Sequence, residues 1–199
     1  QISLLTFAHQ SDIISKELSN CCSTIKIAKP PVRNMLQRMS TMLLSYKPDM
    51  SERLSSTEFS IKLYHLLENH TLDAIHIEGL EMTPYLRPIS DYYSNKTNRP
   101  MIIYDAHNAE TVIQSRAIST DILEPKHWLT AFYSMIQLRR IKKLELEACS
   151  RSDAVICVSD EDSISLKNIF PGLNPVVLPN GIFLSDYPEL IQRAKIDPP

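Results

Sequence analysis

Short apolar, β-branched runs separated by stretches of helical periodicity constrain this chain more than any other feature. The runs are "ISLLTFA" (2–8), "TIKIA" (24–28), "AIHIE" (74–78), "MIIYDA" (101–106), "AVICVS" (154–159) and "PVVLP" (175–179). A chain that alternates in this way buries both kinds of element by winding helices around a parallel sheet. The expected fold is α/β, a Rossmann-like doubly wound, mainly parallel sheet with flanking helices. "ISLLTFA" alternates too little for a half-solvated strand and reads as one buried on both faces. With Gln1 in place of a starting Met, it suggests a fold entered already under way.

Between these runs, residues 11–19, 32–46 and 52–70 carry apolar side chains at helical spacing, among them Phe59, Leu63, Leu66 and Leu67. A longer helix is expected over 126–150, with Leu129, Phe132, Ile136, Ile141, Leu144 and Ala148 on one stripe. Arg139, Arg140, Lys142 and Lys143 fall mostly off that stripe. They read as a solvated face, with contact to a phosphate or lipid headgroup as the alternative. Pro30-Pro31, Pro100, Pro125 and Pro171-Gly172 stand at element boundaries, where proline is tolerated.

In a wound parallel sheet, ligands bind outside the carboxyl ends of the strands, where loops and helix N-termini gather. Three strand ends here are polar. In "HIEGLEM", Glu78 and Gly79 follow the strand. In "YDAHNAE", Asp105 lies near the strand's end, Asn108 is suited to cap a helix starting at Ala109, and Glu110 suits its first turn. His107 is needed for none of these roles, which leaves its imidazole to face the crevice and exchange a proton or bind a hydroxyl. In "VSDEDS", Ser159 or Asp160 caps a helix whose N-terminus can take an anion or a sugar hydroxyl, although such a serine is more often only a cap. The other histidines, His9, His65, His70, His76 and His127, are weaker candidates, and His76, inside a strand, is expected to be packed.

Composition narrows the function classes. A formal charge of -2 gives no general electrostatic reason to bind nucleic acid. The 199 residues suffice for one sizeable core. Cys21, Cys22, Cys149 and Cys157 form no CxxC or Cys/His cluster with metal spacing, which points to a reducing, cytoplasmic setting without a metal centre. The sequons at Asn69 and Asn95 are discounted because no signal peptide or long apolar run accompanies them. GxSxG, HExxH, GxxxxGK[ST] and GxGxxG are all missing, and the three glycines stand at 79, 172 and 181. A complete dinucleotide-binding unit is therefore not expected.

Taken in order, "DAIHIEGLEMTPYL", "MIIYDAHNAE", "RSDAVICVSDED" and "PVVLPNGIFLSDY" resemble the amino-terminal, acceptor-side domain of a family 4 retaining glycosyltransferase of the GT-B fold. The likeness runs from about residue 72 to 187 and is weaker before that, where "ISLLTFA" is similar to the family's second strand. It implies one domain over 1–187, with an interdomain linker beginning at 188–199. His107 matches the family's cleft histidine, near the transferred sugar or the acceptor. Asn108 and Glu110 belong to the same "HNxE" variant, Ser159 and Asp160 match the serine of "VS" and the residue after it, and Asn180 and Gly181 match the "PNG" where the first domain ends. With Glu78 at its strand end, these are the expected substrate-binding residues. Glu145 matches a glutamate taken to be structural.

The resemblance further implies a nucleotide sugar as donor substrate, an acceptor of unknown identity, no metal and no cofactor. It also implies a donor-binding domain after Pro199 and a first strand with a Gly-rich loop before Gln1, so that the chain alone would be inactive. Peripheral contact with the inner face of a membrane would fit such a transferase. The alternatives are a non-enzymatic α/β ligand-binding module and a GT-B sugar-nucleotide epimerase. A receiver-like module is disfavoured because no acidic pair ends the first strand.

Overall fold

The computed structural model describes residues 1–9, 12–34, 36, 37, 40, 45–121 and 128–181, with the side chains at 120, 121 and 128–132 left out. In chain order it contains β1 (Ser3–Phe7), α1 (Lys16–Cys21), β2 (Thr24–Ala28), α2 (Asp49–Arg53), α3 (Thr57–Asn69) and β3 (Ala74–Glu78). A 3-10 turn (Leu80–Tyr85) then leads into α4 (Leu86–Tyr93) and β4 (Met101–Ala106). The chain continues through α5 (Glu110–Asp121), α6 (Trp128–Arg151), β5 (Ala154–Cys157), α7 (Asp160–Ile169) and β6 (Val176–Val177). All six expected strands form, and the α/β class with a parallel, helix-flanked sheet holds.

Every pairing is parallel, but the strands form two sheets, β1-β2 and β3-β4-β5-β6. Among the described residues no backbone hydrogen bond joins the first pair to the other four strands. What unites them is the core. Side chains of β3, β4 and β5 that point to one face, namely Ile77, Ile102, Tyr104, Ala106, Val155 and Cys157, are buried against Leu86 and Ile89 of α4, Ile141 and Ala148 of α6 and Leu166 of α7. Phe59 and Leu63 of α3 belong to the same cluster as Ala28 of β2, and Phe7 of β1 stacks on Phe59 at 4.6 Å. This short parallel sheet buries its helix-facing side, while Ala74, His76, Glu78 and Met101 on the opposite side stay exposed.

The helices depart from expectation where a serine intervenes. The first begins at Lys16 rather than 11, because the Ser15 side chain accepts the Leu18 N–H at 3.1 Å and fixes the start there. Ile13, 94% exposed, and Ile14 therefore belong to no buried stripe. The helix expected over 52–70 is broken into α2 and α3. Ser56 caps α3 through Phe59 N–H, and Tyr85 stitches the break by donating to Leu54 O at 2.6 Å and accepting from Ser56 N–H at 3.0 Å. The helix expected over 32–46 lies largely outside the described residues. So do Pro125, His127 and the linker at 188–199, and no side chain is described for Leu129 or Phe132. Of the basic run on α6, Arg139, Lys142 and Lys143 are exposed, as a solvated face requires.

Tyr104 is fully buried in β4, and its hydroxyl has no hydrogen-bond partner. Burial, and then the nearby Glu145 carboxylate, push its phenol well above the ordinary value. An unpaired buried hydroxyl costs free energy, so Tyr104→Phe is expected to stabilise the chain by about 1 kcal/mol in urea unfolding. A loss of similar size would show that the hydroxyl is bonded in solution.

Candidate functional site

Parallel pairing brings the carboxyl ends of β3 to β6 to one edge, and the register sets who meets there. Glu78 stands opposite Asp105, and His76 opposite Ile103, so Glu78, Asp105 and His76 project from the same face of the sheet. His107, two residues beyond Asp105, turns back toward that pair. Its Nε2 lies 3.4 Å from Glu78 Oε1 and its Nδ1 4.0 Å from Asp105 Oδ1. His76 Nε2 lies 3.0 Å from Asp105 Oδ2. The Asp105 carboxylate thus stands between two imidazoles, and its Oδ1 is buried without a hydrogen-bond partner.

Gly79 is required here by its backbone and not by space. It adopts a φ of 80°, a left-handed conformation that favours glycine, and a Cβ there would meet His107 Cδ2 at 3.6 Å. The chain then enters the 3-10 turn, which carries Glu81, held by Arg53 Nη1 at 3.0 Å. Glu110, at the start of α5, is half-buried. Burial first and Glu81 second raise its carboxyl above the ordinary range, against the pull of Arg53 and His107. Among the described residues, one end of the sheet therefore gathers Glu78, Glu81, Asp105 and Glu110 with His76, His107 and Arg53.

Such a set suits hydroxyls better than phosphates. The carboxylates accept sugar or alcohol O–H groups, and either ring nitrogen of His107 can donate or accept according to its tautomer. A diphosphate brought here would meet four carboxyl groups, with the nearby guanidinium of Arg53 already paired to Glu81.

Asn108 is exposed and makes no side-chain hydrogen bond. The expected cap on α5 comes instead from other helices. Asp162 Oδ1 accepts Ala109 N–H at 3.0 Å, and the Glu145 carboxylate accepts both the hydroxyl and the N–H of Thr111. Asn108 is thereby left facing solvent with its amide available.

Ser159 is the N-cap of α7, accepting Asp162 N–H at 3.1 Å and donating to Asp162 Oδ2 at 2.6 Å. Asp160, Glu161 and Asp162 fill the first turn of that helix and already oppose its dipole. Its N-terminus therefore suits a hydroxyl rather than an anion. Asn180 and Gly181 are exposed beyond β6, and no hydrogen bond ties them to the His107 cluster. Gly181 has no positive φ, and a Cβ on it would meet nothing within 4 Å; the glycines with a positive φ are Gly79 and Gly172.

No protein-family model matches this chain, and neither does any curated protein. Function is therefore read from the strand ends themselves. Two side chains there escaped sequence reasoning. His76, expected to be packed, is 51% exposed at the side chain because it projects from the face of the sheet opposite the helices. Asp105, read only as a strand-end residue, proves central because the β3-β4 register places it beside Glu78. The one sequence signal for the pair was their common position at the ends of neighbouring strands.

Elsewhere the chemistry is quieter. Cys149 is buried, and burial with Glu145 alongside pushes its thiol up to about 12, so it is no nucleophile. All four cysteines are unpaired. Among the described residues no group of three or more His, Cys, Asp or Glu side chains has metal-site geometry, and no helix is long and apolar enough to cross a membrane. Two open grooves of about 530 and 740 Å³ meet around Arg99 at the opposite, amino end of the strands. Arg99 there is taken up in a bidentate pair with Asp153 at 2.8 and 2.6 Å. Neither groove approaches His107.

Proposed function

We propose that this chain is the acceptor-side half of a retaining glycosyltransferase of the GT-B fold, family 4, and that His107 faces the transferred sugar or the acceptor hydroxyl. The observation that carries the reading is the position of His107. It stands at the carboxyl edge of a parallel sheet, between Glu78 and Asp105, just beyond the end of β4. Ligand sites of wound sheets lie at that edge.

Two further features support it. The sheet is interrupted between the β1-β2 pair and β3, which is consistent with a position for the family's first strand. The acidic character of the His107 cluster favours hydroxyls and leaves the donor diphosphate to be bound by another domain, as the division of labour between two GT-B halves requires.

In this reading a nucleotide sugar reacts with an acceptor hydroxyl. The bond from the anomeric carbon to the leaving diphosphate breaks, a bond to the acceptor oxygen forms on the same face, and the acceptor proton leaves with the diphosphate. His107 holds a hydroxyl of the sugar or acceptor, Glu78 and Asp105 orient its ring, and Asn108 offers an amide beside it. Closure of a second domain would exclude water from the strand ends.

The coding sequence on either side of residues 1–199 tests the proposal at little cost. A strand with a Gly-rich loop upstream and a second α/β domain with paired glutamates downstream are expected. Thermal-shift measurements on the two-domain chain should then show stabilisation by nucleoside diphosphates. A stop soon after Pro199, with no shift from any nucleoside diphosphate, would favour a stand-alone binding module.

A further inference from the structure

The segment that carries His107 is held by groups far from it in sequence. Asp162, on α7, accepts the Ala109 N–H at 3.0 Å, and its other oxygen is fixed by the Ser159 hydroxyl at 2.6 Å. Glu145, in the second half of α6, takes the Thr111 hydroxyl on Oε2 and the Thr111 N–H at 3.4 Å from each oxygen. Two carboxylates from two helices therefore grip residues 109 and 111, on either side of Glu110 and directly behind His107 and Asn108.

Glu145 is the more telling of the two. It is fully buried, on a helix face shared with Ile141, Ala148 and Cys149. Burying a carboxylate is costly unless it is well bonded, and an aliphatic side chain at such a position would pack at no such cost. Its bonds go to the first turn of α5, where unpaired amides need an acceptor and the helix dipole favours negative charge. The local candidate for that task, Asn108, does not perform it. The amides behind His107 are thus committed to protein acceptors, and Asn108 and the imidazole are the polar groups this segment presents outward.

We propose that Glu145 and Asp162 are positioning residues, which by gripping Thr111 and Ala109 set where His107 stands at the end of β4. The proposal rests on the reading of His107 given above. It makes Glu145 an agent of the site, acting through Thr111, although it touches no substrate.

Amide hydrogen exchange and the His107 imidazole resonances, followed by NMR on this chain, test the grip independently of activity. Glu145→Gln keeps the side-chain shape but sets an amide against a donor. Thr111→Val keeps shape and backbone while deleting the hydroxyl. Each is expected to speed exchange at residues 109–112 by about tenfold or more and to move the His107 resonances, with amides of Ile102 and Val155 nearly unchanged. Unchanged exchange at 109–112, or equal acceleration throughout β4 and β5, would overturn the proposal.

The kinetic arm uses the two-domain chain with a nucleotide sugar. Glu145→Gln should lower kcat by about tenfold without raising KM for the donor, and should add almost nothing where His107 is already alanine. A full additional loss in that background would contradict a role exerted through His107. The two readings fail separately. Turnover indifferent to His107→Ala, with protection at 109–112 lost in Glu145→Gln, would sink the transferase reading and retain the grip.

Discussion

Replacing His107 by alanine in a chain that carries both halves of the proposed transferase should lower turnover by at least about tenfold while leaving stability within roughly 0.5 kcal/mol of the wild type. The two halves of this expectation have separate grounds. His107 is exposed, its ring nitrogens face Glu78 and Asp105, and it lies outside the hydrophobic cluster, so its removal leaves the core packing intact. Its imidazole nevertheless stands at the strand end between two carboxylates, with two ring nitrogens able to donate or accept a hydrogen bond. Truncation would remove the ring that stands between Glu78 and Asp105. A variant that is folded and fully active would remove His107 from the mechanism.

Glu145→Ala should destabilise the chain by about 3 kcal/mol in urea unfolding, because the change orphans both Thr111 donors and opens a cavity in the core. The same residue predicts a pH dependence whose sign can be worked out. Burial raises the Glu145 carboxyl above its ordinary value of 4.5, more strongly than the hydrogen bonds from Thr111 lower it. Glu110 is raised for a related reason. From about pH 4.5 upward the unfolded chain has therefore lost protons that the folded chain still keeps. Folding stability should fall as pH rises through that window until the folded carboxyls ionise. Glu145→Gln, which cannot ionise, should flatten this fall. A wild-type stability that rises from pH 4.5 to 7, with no change of slope in the glutamine variant, would contradict the assignment.

What the sequence disclosed follows from how local each signal was. The strands were legible because short β-branched runs bounded by turn residues mark a strand without knowledge of its neighbours. Burial was not: β1, expected to be buried on both faces, is only partly buried throughout, because among the described residues its sheet extends on one side alone. Helix starts were less legible than strands. Ile13 and Ile14 mimic a helical stripe, but the serine that follows them decides where the helix begins, and the Ser55-Ser56 break is sealed by Tyr85 from 29 residues away. The site was half legible. Glu78, His107 and Glu110 stood out as strand-end polar groups, and the fold brings them together. His76 and the importance of Asp105 depend on the register between β3 and β4, which no spacing within one strand reveals. Asn108 was assigned a cap by its residue type, yet the acceptors lie on other helices, 34 and 53 residues away from the amides they hold.

Glu145 illustrates the same limit from the other side. A lone glutamate on a long amphipathic helix is ordinarily a surface residue. Only the packing of α6 against α5 turns it inward, and only then does the N-terminus of α5 become its partner.

The most direct test of the account is the fate of a nucleotide sugar in the presence of the two-domain chain. Proton NMR would follow the sugar released from UDP-glucose, UDP-N-acetylglucosamine and GDP-mannose, and its anomeric configuration would be read before mutarotation. The account predicts slow release from at least one donor with the configuration retained, reduced by about tenfold or more in His107→Ala. Release with inversion, release indifferent to His107, or no release from any of the three would contradict it.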